Sequence, residues 1–210
     1  MKAADVDQGL VEQAIDALNP ERVLPFRFLA AARYAPQWEE ALESAMFRAV
    51  AGREKLAGHT VLLVDVSGSM VAPLSRRSEM LRTDAAYGLA VLLRETAEKV
   101  TVFTFSNVAK QVPPRRGFAL RDAMEASQPH SGTMLGAALD AVKEPYDRIV
   151  VITDEQSHDR VPAPSSAAKG KGYMVNVASA RNGVGYGPWT HIDGWSEAVI
   201  EYIRELESTS

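Results

Sequence analysis

Val61-Leu62-Leu63-Val64-Asp65-Val66-Ser67-Gly68-Ser69-Met70 is an aliphatic run that ends on a carboxylate and turns into a hydroxyl-bearing loop. Unbroken aliphatic residues, without polar alternation, mark a strand buried on both faces, as in a parallel sheet covered by helices. Ile149-Val150-Val151-Ile152 repeats the pattern and leads into Thr153-Asp154. Around these runs β-like and helical patterns alternate. Strands are expected over residues 60–65, 99–105, 148–153 and 172–178, with a short arm at 108–112 pairing antiparallel at one edge. Helices are expected over 82–98, 118–126, 133–142 and 195–206. This alternation predicts an α/β chain with a doubly wound, mainly parallel sheet of Rossmann-like type.

Upstream, residues 1–55 read differently. Leu10, Val11, Ala14, Ile15 and Leu18 lie at helical spacing. Asn19-Pro20 stops that helix and opens a second over 20–33, in which Pro25 marks a break or a late start. Ala35-Pro36 is another stop, after which Trp38, Leu42, Ala45, Met46 and Ala49 line one face of a third helix. The chain is thus expected to divide into a helical extension, 1–55, and an α/β domain, 56–210. Segments 161–171 and 181–188 are rich in small and turn residues and read as loops.

Composition narrows the function classes. At 46% hydrophobic and 24% charged residues, disorder and collagen-like structure are excluded. The chain has no cysteine, which removes disulfides, thiolate catalysis and Cys-based zinc sites together. With no apolar leader behind Met1 and no run near a membrane span, a cytoplasmic location without membrane contact is expected. A net charge of −4 argues against a dedicated nucleic-acid binder. The local basic pairs Arg76-Arg77 and Arg115-Arg116 read as solvated loops or as a small basic rim.

Taken alone, Asp65-x-Ser67-x-Ser69 is equally a turn whose side chains satisfy local backbone groups. Topology adds to it. Ligands of open α/β sheets sit at the carboxyl ends of strands. Asp65 and Asp154 both stand at such ends, and Ser131-Gly132-Thr133 precedes a helix whose N-terminus faces the same edge. Five residues, Asp65, Ser67, Ser69, Thr133 and Asp154, are therefore expected to converge as a metal site. Glu155 and His158 follow Asp154 and are expected close to it.

These residues resemble, in order and spacing, the metal-ion-dependent adhesion site of the von Willebrand factor A (vWA) family. The resemblance implies that Ser67, Ser69 and at times Thr133 bind the ion directly, and that Asp65 and Asp154 bind it directly or through water. Met134 departs from the polar residue that often follows the Thr. Five oxygen donors and no His or Cys suit a hard cation, Mg²⁺ first, with Mn²⁺ or Ca²⁺ as substitutes. Neutral hydroxyls leave the ion under-neutralised, so it accepts one more oxygen from an acidic group on a partner.

A narrower resemblance runs through Arg22-Val23-Leu24-Pro25-Phe26-Arg27-Phe28, Ala31-Ala32-Arg33, Pro73-Leu74-Ser75, Arg115-Arg116-Gly117 and Val151-Ile152-Thr153-Asp154-Glu155-Gln156. Together with the metal loop, these look like the C-terminal part of Ro/TROVE ribonucleoproteins. By that likeness residues 1–55 correspond to the last helices of a larger RNA-binding ring, and 56–210 to the vWA domain.

Three functions follow for testing. The first is a cation-dependent binding module. The second is an RNA-binding component of a Ro-like particle. The third, a metal-dependent hydrolase or phosphotransferase, is disfavoured: a strand-end Asp nucleophile needs a carboxylate two residues on, where this chain has Ser67. The chain has no Gly-x-Ser-x-Gly elbow, Walker A motif or His-Glu-x-x-His. No enzymatic activity is expected.

Overall fold

The computed structural model describes residues 7–19, 23, 25–75, 78, 80–164, 171–178, 187–196 and 198–209. Two compact units emerge, Met1–Arg53 and Glu54–Ser210.

The first unit is helical. Helix α1 (Gln8–Ala17) is capped by Asp7, whose Oδ1 accepts from the Leu10 amide at 3.1 Å. Helix α2 (Phe26–Tyr34) starts late, directly after Pro25, which has no amide hydrogen to lose at a helix start. A 3-10 turn (Pro36–Trp38) leads into α3 (Glu39–Val50), which buries Leu42, Ala45, Met46, Ala49 and Val50.

The second unit is an α/β sandwich on one six-stranded sheet, ordered β3-β2-β1-β4-β5-β6. The strands are β1 (Leu56–Asp65), β2 (Ala97–Phe105), β3 (Ala109–Gln111), β4 (Arg148–Thr153), β5 (Gly172–Asn176) and β6 (Thr190–Asp193). All pairings are parallel except β2 with β3. Val61–Val64 and Ile149–Ile152 are fully buried, as their unbroken aliphatic pattern demands. The helices are α4 (Arg82–Thr96), α5 (Gly117–Glu125), α6 (Leu135–Ala141) and α7 (Ala198–Ser208). Among the described residues, no helix is long and apolar enough to cross a membrane.

Several boundaries differ from the sequence reading. Strand β1 begins at Leu56 rather than 60, through a register shift between Leu56 and His59 around Gly58 at φ 79°. Polar His59 is tolerated there because its ring nitrogens meet Pro145 O and Thr101 Oγ1, each at 2.9 Å. Helix α4 stops at Thr96, since Ala97 already pairs with Leu56. Strand β6 was not expected; Thr190-His191-Ile192-Asp193 has one strong hydrophobe and pairs as a sheet edge. Trp189 just before it is 5% exposed, belongs to the same buried cluster as Leu135 and Met174, and donates to Pro162 O at 2.9 Å.

Helix α6 starts at Leu135, two residues later than expected, because Thr133 and Met134 are held by other loops. Its first amides are capped from a distance: Gly136 and Ala137 N–H donate to the Asp159 carboxylate at 2.9 and 2.8 Å. Burial acts to raise the Asp159 pKa, but bonds from Ser157 and these amides outweigh it and hold the carboxyl below its ordinary value. A Cβ at Gly136 would stand 2.2 Å from the Arg160 carbonyl oxygen. Gly136→Ala is therefore expected to push the 157–160 loop off the helix and to cost roughly 1–3 kcal/mol, read by chemical denaturation.

Candidate metal centre

Strand order places β1 and β4 side by side, with the chain winding outward from β1 to β2 and then from β4 to β5. The crevice at the carboxyl ends of β1 and β4 is the topological switch point of the sheet. Asp65 ends β1 there and Asp154 follows β4 there.

The Asp65 carboxylate is completely buried and fixed by both oxygens. Oδ1 accepts from the Ser67 amide at 2.8 Å, and Oδ2 accepts from Thr153 Oγ1 at 2.7 Å. The first bond curls the chain so that Ser67 and Ser69 present their hydroxyls together, Oγ to Oγ 3.2 Å. A short 3-10 turn (Gly68–Val71) follows.

Gly68 joins this loop to the next. Its amide donates to Ser131 O at 2.8 Å, and a Cβ there would lie 3.3 Å from that oxygen. The loop bearing Thr133 is in turn organised by the residues after β2. Ser106 Oγ accepts from the Ser131 amide and donates to Gly132 O, both at 2.9 Å; Asn107 Nδ2 donates to Ser131 Oγ at 2.9 Å. Met134 N–H donates to Ser106 O at 2.8 Å. Thr133 itself is 4% exposed.

The third loop follows β4. Asp154 is completely buried; its Oδ1 accepts from the Gln156 amide at 3.3 Å and its Oδ2 from Arg82 Nη1 at 2.7 Å. His158 reaches back to Thr133: its amide donates to Thr133 O at 2.9 Å, and its Nδ1 accepts from the Thr133 amide at 3.4 Å. Glu155, at φ 61°, turns the other way, and its Oε1 meets His191 Nδ1 on β6 at 2.8 Å. Of the two residues expected near Asp154, His158 thus braces the Thr133 loop and Glu155 faces β6.

Other residues fall elsewhere. Arg116 forks onto Glu95, through Nε to the two carboxylate oxygens at 3.1 and 3.0 Å. Glu95 lies in the last turn of α4, just before β2 begins, so this pair sits at the sheet edge opposite Asp65. Arg115 is exposed beside it. Arg115 and Arg116 therefore form no rim around Asp65. Arg76 and Arg77 lie outside the described residues, as does most of the 181–188 loop.

The sequence reading did not single out Arg82, Ser106 or Asn107. A signal existed for each. Ser106 and Asn107 follow the apolar end of β2 as Val66 and Ser67 follow β1. Arg82 opens a helix, where a cation opposes the helix dipole and needs a local anion to offset it.

Burial is the main influence on Asp65 and pushes its pKa from 3.8 up to about 7, against the lowering effect of its bonds to Ser67 and Thr153. Two carboxylates and three hydroxyls fit a hard divalent ion. Among the described residues, no group of three or more His, Asp, Glu or Cys is arranged to hold a metal ion, so the hydroxyls are needed to complete a ligand set. Without divalent ions, the raised Asp65 pKa stabilises the fold below about pH 4, and that contribution fades as pH rises through about 7. Relative to Asp65→Asn, the wild-type protein should lose a few kcal/mol of stability across that window. Chelator-treated protein melted at successive pH values measures it.

Comparison with known proteins gives a fold and no family. No family model matches the sequence, and no curated protein does. Among solved structures, the Ro (RSR) protein of Deinococcus radiodurans matches with a TM-score of 0.69 at 19% identity, over 95% of this chain and 48% of that one. This chain thus spans about half the length of that Ro protein. The conserved hypothetical protein BatB of Bacteroides thetaiotaomicron matches with a TM-score of 0.50 at 17% identity, over 71% of this chain and 97% of that one. At these identities the likeness is one of fold.

Proposed function

We propose that this chain, whose fold is vWA-like, is a divalent-cation-dependent binding module that grips an acidic group on a partner through Mg²⁺. The observation that carries this reading is the meeting of three loops at the switch point, tied by the Asp65–Thr153 and Gly68–Ser131 bonds. Asp65, Ser67, Ser69, Thr133 and Asp154 would hold the ion. When bound, it would act as a Lewis acid for a partner's carboxylate oxygen. The chain's own residues pre-shape the site: Thr153 fixes Asp65, Ser106 and Asn107 fix the Thr133 loop, and His158 braces that loop from β4.

This reading assigns recognition rather than catalysis. Ser67 stands where a phosphotransferase would need its second carboxylate. RNA binding gains no support from Arg116, which is engaged with Glu95.

Calorimetric titration with Mg²⁺ and Mn²⁺ tests the proposal, paired with melting curves. Ion binding to the folded state alone should stabilise it by about 2.7 kcal/mol at a hundred times Kd. Ser67→Ala should weaken binding at least about tenfold, through loss of one ligand oxygen. A melting temperature unmoved by millimolar Mg²⁺ and Mn²⁺ would sink the reading.

A further inference from the structure

Arg82 is the one described cation hydrogen-bonded to a residue of the candidate metal set. Its Nη1 donates to Asp154 Oδ2 at 2.7 Å and to the carbonyl oxygen of Ser69 at 3.3 Å. It thereby spans two of the three loops. The Asp154 side chain is wholly buried, and that of Arg82 is 20% exposed. The placement is deliberate in energetic terms. Arg82 is the first residue of α4, where the helix dipole disfavours positive charge. Its backbone amide is held by Ala72 O at 3.0 Å, which keeps the side chain over the metal loop. Its Nε is buried without a hydrogen-bond partner among the described residues. A buried donor left unmet at a charged site is costly, and it waits for an acceptor.

We propose that Arg82 is a tethered cation that competes with the divalent ion for Asp154 and so sets the ion affinity of the site. The inference rests on the metal reading above. With no ion present, the guanidinium neutralises Asp154 and keeps the buried carboxylate tolerable. When an ion enters, the two carboxylates balance its double charge, and Arg82 becomes a like charge at close range. The ion therefore binds against this repulsion. The ion, Asp65, Asp154 and Arg82 then sum to one positive charge, which favours an anionic oxygen as the completing ligand.

Mn²⁺ affinity, read by electron paramagnetic resonance of the free ion, tests this on the wild-type protein, Arg82→Gln and Arg82→Lys. Removing the charge in Arg82→Gln should tighten Mn²⁺ binding about tenfold. Arg82→Lys keeps the charge and should stay within about threefold of wild type. If Arg82→Gln binds less tightly, or within about threefold of wild type, the competition is refuted and Arg82 merely orients Asp154. If neither wild type nor Arg82→Gln binds Mn²⁺, the metal reading falls and this inference with it. Binding by Arg82→Gln alone would support the competition most strongly. Should Arg82→Gln not fold, the wild-type protein still decides. The arginine Nε–H resonance missing from the Arg82→Lys spectrum should move during a Mg²⁺ titration, in step with the Ser67 amide. A resonance that stays in place while Ser67 moves overturns the proposal.

Discussion

Asp65→Asn is expected to abolish divalent-ion binding while leaving the fold as stable as before, or more so, at neutral pH. The substitution keeps the shape. The amide oxygen can still accept from the Ser67 N–H, and the amide nitrogen can donate to Thr153 Oγ1, replacing the bonds seen at 2.8 and 2.7 Å. What it removes is a completely buried negative charge whose pKa burial has pushed up to about 7. Without an ion that charge is a burden at neutral pH, so its loss should stabilise by roughly a few kcal/mol, the same amount the ion-free wild type loses across the titration window. On the proposed metal reading it would be one of two charges holding the ion, so affinity should fall by at least about a hundredfold. Calorimetry and denaturation on the same two proteins test both halves. A variant that lost stability and affinity together would show Asp65 to be a structural residue alone.

Glu207→Ala is expected to be strongly destabilising, at roughly 3–5 kcal/mol, because it breaks a largely buried ion pair. Arg148 on β4 is 3% exposed and forks onto Glu207 of α7 at 2.7 and 2.6 Å. It also donates to Thr60 Oγ1 at 2.8 Å and to Ala57 O at 2.7 Å. Tyr173 and Lys171 add contacts to the same carboxylate at 3.0 and 3.2 Å. Truncating Glu207 strands a buried guanidinium and frees α7 from the sheet. The melting temperature should drop by about 10 °C for a unit of this size. The double variant Arg148→Met with Glu207→Leu should recover most of the loss, since it leaves no uncompensated charge. Burial acts to raise the Glu207 pKa, but Arg148, Tyr173 and Lys171 together hold it below the ordinary value. Its contribution is therefore present above about pH 4.5 and should be lost as pH falls through the depressed value. A Glu207→Ala protein as stable as wild type at pH 7 would refute the assignment.

The fold was legible wherever side-chain period reflects solvent. Val61–Val64 and Ile149–Ile152 are apolar without alternation because both sheet faces are covered, and those strands lie where expected. Local pattern failed where a partner segment supplies the stability. Strand β6 holds its place by pairing with β5, and the first residues of β1 by pairing with β2, neither of which shows in a short stretch with few large apolar residues. The start of α6 slipped for a similar reason: its cap is Asp159, distant in sequence, rather than a residue just before it.

The candidate site divides the same way. From sequence alone came the strand-end carboxylates, the hydroxyl turn and the expectation that Thr133 meets them, because in a parallel sheet chain order dictates which ends share an edge. Tertiary structure alone decided the charges and supports around them. Arg82 reaches Asp154 across 72 residues of chain, Ser106 and Asn107 hold the Thr133 loop, and Arg115 and Arg116 lie at the far edge beside Glu95. Periodicity reports whether a residue faces water or core. Which charge stands beside which depends on how separate loops close over one sheet edge, and no single segment of the sequence encodes that.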